Sequence, residues 1–391
     1  MTRRLVPFAV LLLAAAAAAA AEPSRTVELR ETWRFGGADC ETLLGTITEA
    51  DVDRDGNVYV LDTQLCHVHV ISPDGVLLRT IGGPGGGPGE SARPRDVVIL
   101  PDDTVGLLEL FPAKLVCMSL AGEPRENVII GGADPEAGGF TSAGICSRRG
   151  DTFVVAGQRL SQIEGGQRRH MYLARIDEGG RILHRYSEAR MTLDFDDLVF
   201  VEREMNPGCQ LAHAVGPDGR VYATADWNRY AVEIYAPDGE LERVVERAFE
   251  NRSRSEDELR RINALFDANE RNIPFPVGRE VEPNPAVIAG LAVDPAGRLW
   301  VLHSRSAEDR APGVMQTYDV YGPNGDFLER VALACEGDPA RDGLVFLDDG
   351  RILLIKGFVE AGMARTDLGN VPLGEEEEAA PMEIVCYAPV S

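Results

Sequence analysis

Residues 50–82 read ADVDRDGNVYVLDTQLCHVHVISPDGVLLRTIG. A short run ending at Val52 meets Asp55-Gly56, and VYVL follows at 58–61. VHVI at 68–71 then meets Pro73-Asp74-Gly75, and VLLRTI closes the stretch. Asp-Gly between apolar runs is a hairpin signal because a tight turn needs positive φ, which glycine adopts without steric cost. The stretch therefore predicts four short antiparallel strands.

The same pattern returns along the chain. Residues 213–247 contain VGPDGRVYAT and VEIYAPDGELERVV; residues 290–333 contain VDPAGRLWVL and YDVYGPNGDFLERV. Residues 344–355 read LVFLDDGRILLI, with MEIVCYAP at 382–389, and weaker copies occupy 95–130 and 143–186. Six four-stranded units of about 35–50 residues follow from this spacing. A lone four-stranded sheet leaves a face uncovered, whereas six packed around an axis cover one another. The D-x-x-G-N-V-Y-V-x-D stretch, the V-x-V-x-x-P-D-G stretch and the linker IGGPGGGPGE at 81–90 resemble NHL-type six-bladed β-propellers. The resemblance covers about residues 27–390 and implies an all-β propeller. Its members include lyases, lactonases and scaffolds, so it implies no single activity. VELRETWRFGG at 27–37 matches a fourth strand, and residues 27–35 are expected to close the last blade beside 383–388.

Composition narrows the partners. The chain has 391 residues, 63 acidic against 39 basic, and a net charge of −24. That charge repels nucleic-acid phosphate. Residues 1–21 (MTRRLVPFAVLLLAAAAAAAA) have the basic start, apolar stretch and small-residue end of a secretory signal peptide, so export to the periplasm or exterior is expected. Residues 22–391 are then a single propeller domain with no integral membrane segment. Losing Arg3 and Arg4 makes the mature protein two units more negative.

Several motifs have architectural readings. Asp51, Asp53, Asp55, Gly56 and Asp62 match the spacing of a calcium loop, but the same turn lacks the carboxylates in other copies, so a solvated Asp-Gly turn is expected. No Gly-Lys-Ser/Thr follows the glycine run at 81–90, which reads as a connection between blades. Among seven cysteines, Cys117, Cys146 and Cys386 fall at strand positions and are expected to be buried thiols. Cys40 and Cys66 lie in neighbouring loops of the first unit and are the candidate disulfide. No Cys/His spacing suggests zinc. Residues 250–285 interrupt units four and five; Ser255 and Glu258 have capping-box spacing ahead of a helical stripe of Leu259, Ile262, Leu265 and Phe266. This insertion is either a packing element or a lid. Glu375–Glu378 reads as a solvated loop tip.

Charged second-strand ends converge on one face, the top, which also carries the loops between blades. They are Asp62, Glu109, Asp226 with Trp227, His303 and Lys356, joined by Arg93, Arg95 and Arg341. They vary from unit to unit while the apolar framework repeats. A site grafted on a symmetric scaffold has this character, and the basic members favour an anionic group. The expected function is non-catalytic binding of a protein, peptide or carbohydrate on the top face, without a cofactor. The alternative is a metal-assisted hydrolase or lyase, with a channel calcium held by Glu49, Asp62, Glu109 or Asp226.

Overall fold

The structure is a computed structural model that describes residues 24–131, 139–271, 273–306, 308, 310–363 and 381–390. The leader 1–21 and the acidic run 375–378 lie outside the described residues. The chain begins with β1 (Ser24–Glu28) and β2 (Glu31–Gly36). Blade one follows as β3 (Ile47–Val52), β4 (Val58–Asp62), β5 (His67–Ile71) and β6 (Leu77–Gly82). Blade two is β7 (Pro94–Ile99), β8 (Thr104–Glu109), β9 (Lys114–Ser119) and β10 (Val128–Ile129). Blade three is β11 (Phe140–Arg149), β12 (Thr152–Ile163), β13 (Gly166–Ile176) and β14 (Ile182–Asp194). After β15 (Val199–Val201) and α1 (Glu202–Met205), blade four is β16 (His213–Val215), β17 (Val221–Thr224), β18 (Tyr230–Tyr235) and β19 (Leu241–Arg247). The insertion supplies α2 (Glu256–Glu270) and β20 (Gly278–Glu280). Blade five is β21 (Ile288–Val293), β22 (Leu299–His303), β23 (Val314–Tyr321) and β24 (Phe327–Ala334). Blade six is β25 (Gly343–Phe346), β26 (Ile352–Lys356), then α3 (Phe358–Met363) and β27 (Glu383–Tyr387).

The repeated turn has a local cause. Asp53 accepts hydrogen bonds from the Asp55 and Asn57 backbone N–H groups, and its other oxygen accepts from the Tyr59 hydroxyl at 3.2 Å. Blade five repeats the device: Asp294 accepts from the Ala296 and Arg298 N–H groups and from the Trp300 indole at 3.0 Å. An aspartate and an aromatic donor six residues later thus fix the first hairpin. Gly56 sits at φ +80°, as the Asp-Gly reading requires. Asp53 is engaged in its own turn, and Asp51 and Asp62 lie at separate ends of the hairpin, so the calcium-loop spacing encodes a turn.

Packing follows the blades. Each of six apolar clusters fills the seam between consecutive blades; Tyr59, Leu61 and Val68 of blade one, for example, meet Val97, Leu107 and Val116 of blade two. The last seam is closed by β2, antiparallel to β27 with Trp33 opposite Cys386 and Phe35 opposite Ile384. The expected closing strand of 27–35 is therefore shorter than the sequence suggested. Residues 24–28 leave blade six and run parallel to β24 as a fifth strand of blade five. Val27 and Leu29 fill the seam between blades five and six, which explains their apolar character without placing them in the closing strand. The N-terminal segment clasps two blades.

The seven cysteines are free thiols, including Cys40 and Cys66. The expected Cys40–Cys66 disulfide is not formed in the structure, and the two residues have different surroundings. Cys66 is directed at the carbonyls of Thr63 and Ala92 on the blade-two side, while Cys40 packs into the seam between blades one and six. Cys117, Cys146 and Cys386 are buried, as their strand positions implied.

Trp33 is buried in the closing seam, and its Cβ lies where a side chain at Gly75 would fall, only 2.5 Å away. Trp33→Ala is expected to lower unfolding stability by about 3–5 kcal/mol through lost burial and a residual cavity. Chemical denaturation checks this, and a loss below about 1 kcal/mol would show that closure does not depend on this contact.

Candidate functional site

The inner strands β3, β7, β11, β16, β21 and β25 enclose a central channel of about 340 Å³. Its polar lining includes Glu49, Asp51, Asp96, Arg148, His213 and Asp348. Two of the carboxylates join neighbouring blades. Asp51 accepts from the Ile99 N–H at 2.7 Å, and Asp96 accepts from the Cys146 N–H at 2.8 Å. Burial, reinforced by the nearby Asp348 carboxylate, raises Asp51 from 3.8 to about 7 against the pull of its two N–H donors. Burial lowers His213 to about 4, and its Nε2 lies 3.2 Å from the Ser147 hydroxyl. At the bottom end, the buried Arg149 of β11 reaches across the ring. Its guanidinium donates to the carbonyls of Val293 at 2.6 Å and Asp348 at 2.7 Å. Blade three is thereby tied to blades five and six, and the guanidinium spans the channel floor.

The nine expected rim residues occupy different surroundings. Asp62 is fully buried and accepts from four backbone N–H groups, Gly45, Thr46, Gln64 and Leu65, at 2.7–3.2 Å. Gly45 is needed there, because a Cβ would stand 2.7 Å from the carboxylate. Glu109 is buried and accepts from the Ser91 hydroxyl at 2.9 Å. His303 packs between blades four and five, 3.8 Å from Asp319, which also accepts from Tyr230, Arg247 and Arg330. Trp227 is buried and donates to the Asn284 carbonyl, while Asp226 accepts from the Asn228 N–H. Lys356 lies between Glu336 at 3.0 Å and Glu383 at 2.6 Å, and Arg341 pairs with Glu360. Arg93 is exposed and Arg95 half-buried, and both have partners. None of the nine lines the channel. Glu49 alone of the four expected calcium donors does so, and the four do not gather around one point.

What the sequence concealed is the height of blade three. Its strands run to 10–13 residues, against 5 or 6 in blade one. Beyond Gln158, where the other second strands end, β12 continues to Ile163, so the blade rises about 15 Å above the top face. One side of this wall is apolar: Met191 and Leu193 pack with Leu198, Phe200 and the α2 residue Phe266. The insertion thus packs against the wall as a buttress. Ser255 and Glu258 form the expected capping box of α2. The buried Arg254 and Glu202 pair through two bonds of 2.6 and 2.7 Å, holding the insertion to α1.

The other side of the wall is cationic. Arg159 pairs across the strands with His170, and His170 with Arg190; in the next row Ser161 pairs with Arg168, and Arg168 with Thr192. Residues directly opposite in adjacent strands share a face, so these six side chains form one patch around a hollow of about 430 Å³. Glu188 is the acid beside it, 2.9 Å from His170. Arg168 and Arg190 are exposed. A different, larger groove of about 950 Å³ opens on the bottom face between blades two and three, where β10 is only two residues long. Its floor is apolar, with Leu100, Val128 and Phe153, and its rim carries Asp102, Glu126 and Asp177.

The chain is a six-bladed β-propeller. A member of the DUF4221 family from Bacteroides vulgatus is similar, at TM-score 0.52 and 9% identity over 92% of this chain and 97% of that one. Regucalcin from Agrobacterium tumefaciens, a calcium-binding protein, gives 0.42 and 10% over 92% and 94%. Virginiamycin B lyase from Staphylococcus aureus gives 0.43 and 10% over 91% and 98%. At these identities the likeness is one of fold, and proteins of this fold include both enzymes and binding proteins. No protein-family model matches the chain, and no curated protein does. No helix among the described residues of the propeller is long and apolar enough to cross a membrane.

The channel makes a pH prediction. Because the Asp51 carboxyl is raised to about 7, the folded state retains a proton there that the unfolded chain releases near 4. Stability from this group is fully present below pH 4 and declines as pH rises to about 7. Asp51→Asn removes the titration, so the difference in unfolding free energy should move toward the variant between pH 4 and pH 8. A constant difference across that range would show that Asp51 does not titrate there.

Proposed function

We propose that this protein is an exported, non-catalytic binding propeller of NHL type that captures an anionic ligand on its top face. The observation that carries the reading is the cationic side of the blade-three wall. The chain has a net charge of −24, yet three arginines and a histidine share one strand face there. Arginine offers a fixed fork of donors matched to carboxylate, sulfate or phosphate, and Ser161 and Thr192 add hydroxyl donors beside it. The ligand class is a protein segment, peptide or carbohydrate bearing such groups. This reading keeps binding on the top face but centres it on the wall. The rim charges are engaged internally: Lys356 between two glutamates, Asp62 on four N–H groups. The NHL-type motifs and the leader-like N-terminus support family and export, respectively. The hydrolase or lyase alternative is less favoured because its carboxylates stand apart rather than around a shared reaction centre.

The test is a binding screen at low salt with acidic peptides, uronic-acid oligosaccharides and sulfated oligosaccharides. Arg168→Ala and Arg190→Ala should each weaken a ligand about tenfold, the effect of losing a charge-assisted hydrogen bond, and affinity should fall as salt rises. Phe153→Ser, in the floor of the bottom groove, should leave affinity unchanged in folded protein. A ligand insensitive to both arginine variants and lost with Phe153→Ser would move the site to the bottom face.

A further inference from the structure

Blade one carries a cluster that neither the channel nor the cationic wall uses. Asp62 ends β4, and its cross-strand partner is His67 on β5. His69, two residues on, projects to the same side of the strand. Among the described residues, these three form the group of metal-capable side chains whose ligand atoms lie within 4.8 Å of one another. The two imidazoles meet through their Nε2 atoms at 3.3 Å, with rings nearly perpendicular at 77°.

That separation has a specific meaning. Two nitrogens each about 2.0–2.1 Å from a tetrahedral ion stand roughly 3.3–3.4 Å apart. The remaining nitrogen of His69, Nδ1, is 3.3 Å from the Thr80 hydroxyl. Ligating histidines characteristically direct their second nitrogen to such an oxygen, which fixes the ring and its tautomer. Asp62 faces the pair with unequal oxygens. Oδ1 accepts from Thr46, Gln64 and Leu65, whereas Oδ2 accepts from Gly45 alone and keeps a lone pair. Two imidazoles and one carboxylate are a borderline donor set, suited to zinc or cobalt rather than to calcium or magnesium.

We propose that Asp62, His67 and His69 bind one divalent transition-metal ion of the zinc type, with solvent completing its shell. The site lies beside the ring closure, since Phe35 of β2 packs 6.1 Å from His69. The bound ion ties β4 to β5 at that seam. It therefore raises thermal stability by binding the folded state alone. The role is structural and independent of the anionic-ligand reading.

The experiment uses untagged, chelator-stripped, desalted full-length protein, titrated with Co²⁺ and followed by visible d–d absorption. Zn²⁺ is then added as competitor. One Co²⁺ per chain, displacement by Zn²⁺ and a raised melting midpoint are expected. His67→Ala, at a partly exposed position, should weaken Co²⁺ binding at least a hundredfold with unchanged circular dichroism. Thr80→Val should weaken it about 10–100-fold, as loss of an orienting partner does. His184→Ala, in a different blade, should change nothing. The proposal is overturned if the folded protein takes up no stoichiometric Co²⁺, or if uptake is unaltered in His67→Ala. The second result would leave the 3.3 Å contact as a hydrogen bond between imidazoles.

Discussion

Every blade of this protein has two apolar faces and no cover of its own. Val58 and Val60 of β4 face blade six, while Tyr59 and Leu61, between them in the same strand, face blade two. A strand apolar on both sides is stable only when another sheet lies against each side, so the burial that holds one blade requires the next. The requirement ends only where the ring meets itself. Closure is thus part of the stability of every blade, and the N-terminal segment meets it with two strands rather than one. By adding β1 to blade five and β2 to blade six, it clasps these two blades, and β2 then leads into blade one across the seam where the ring closes.

This constraint explains which features were legible in the sequence. The Asp-Gly turns and the paired apolar faces are local: Asp53 and Tyr59 lie in the same hairpin, and so do Asp294 and Trp300. Six blades and the capped helix after Ser255 could be read from such signals. The height of blade three could not. Its upper residues, such as Arg159, Ser161 and Arg168, are too polar to announce a propeller strand. Their apolar counterparts, Met191 and Leu193, are buried in a cluster with Leu198, Phe200 and Phe266. Those partners come from segments outside the repeat, so the signal becomes intelligible only once the tertiary contact is known. His67 and His69 were visible as an alternating pair, but the register that brings Asp62 opposite His67 is what makes them a cluster.

The rim carries a different lesson about polar variation. Asp62 and Glu109 differ chemically, yet each secures the loop entering its own blade, one through Gly45 and Thr46 and the other through Ser91. Each linker has its own sequence, so the residue that fastens it varies in step. Variation against a constant framework therefore marks connections as readily as it marks ligand sites. The distinguishing property is whether the charge is satisfied inside the molecule. Lys356 and Arg254 are held by carboxylates, whereas Arg168 and Arg190 are displayed on an open strand face.

A ring of near-equivalent blades has no intrinsic reason to favour one sector, and two arginines show how this one acquires it. Arg149 extends from blade three to the far side of the ring, and Arg254 fastens the insertion to α1 beside the same blade. Both cations are buried and held by hydrogen bonds to carbonyl or carboxylate oxygens, the condition under which a charge inside a protein is tolerated. Blade three is consequently anchored below to blades five and six and buttressed above by α2. A sheet projecting about 15 Å from a propeller would otherwise expose an apolar face and an unsupported edge. With one face buried against the insertion, the opposite face is free to be polar. The cationic patch is thus presented on a rigid support, which reduces the ordering cost of binding and suits a surface that recognises charge by position.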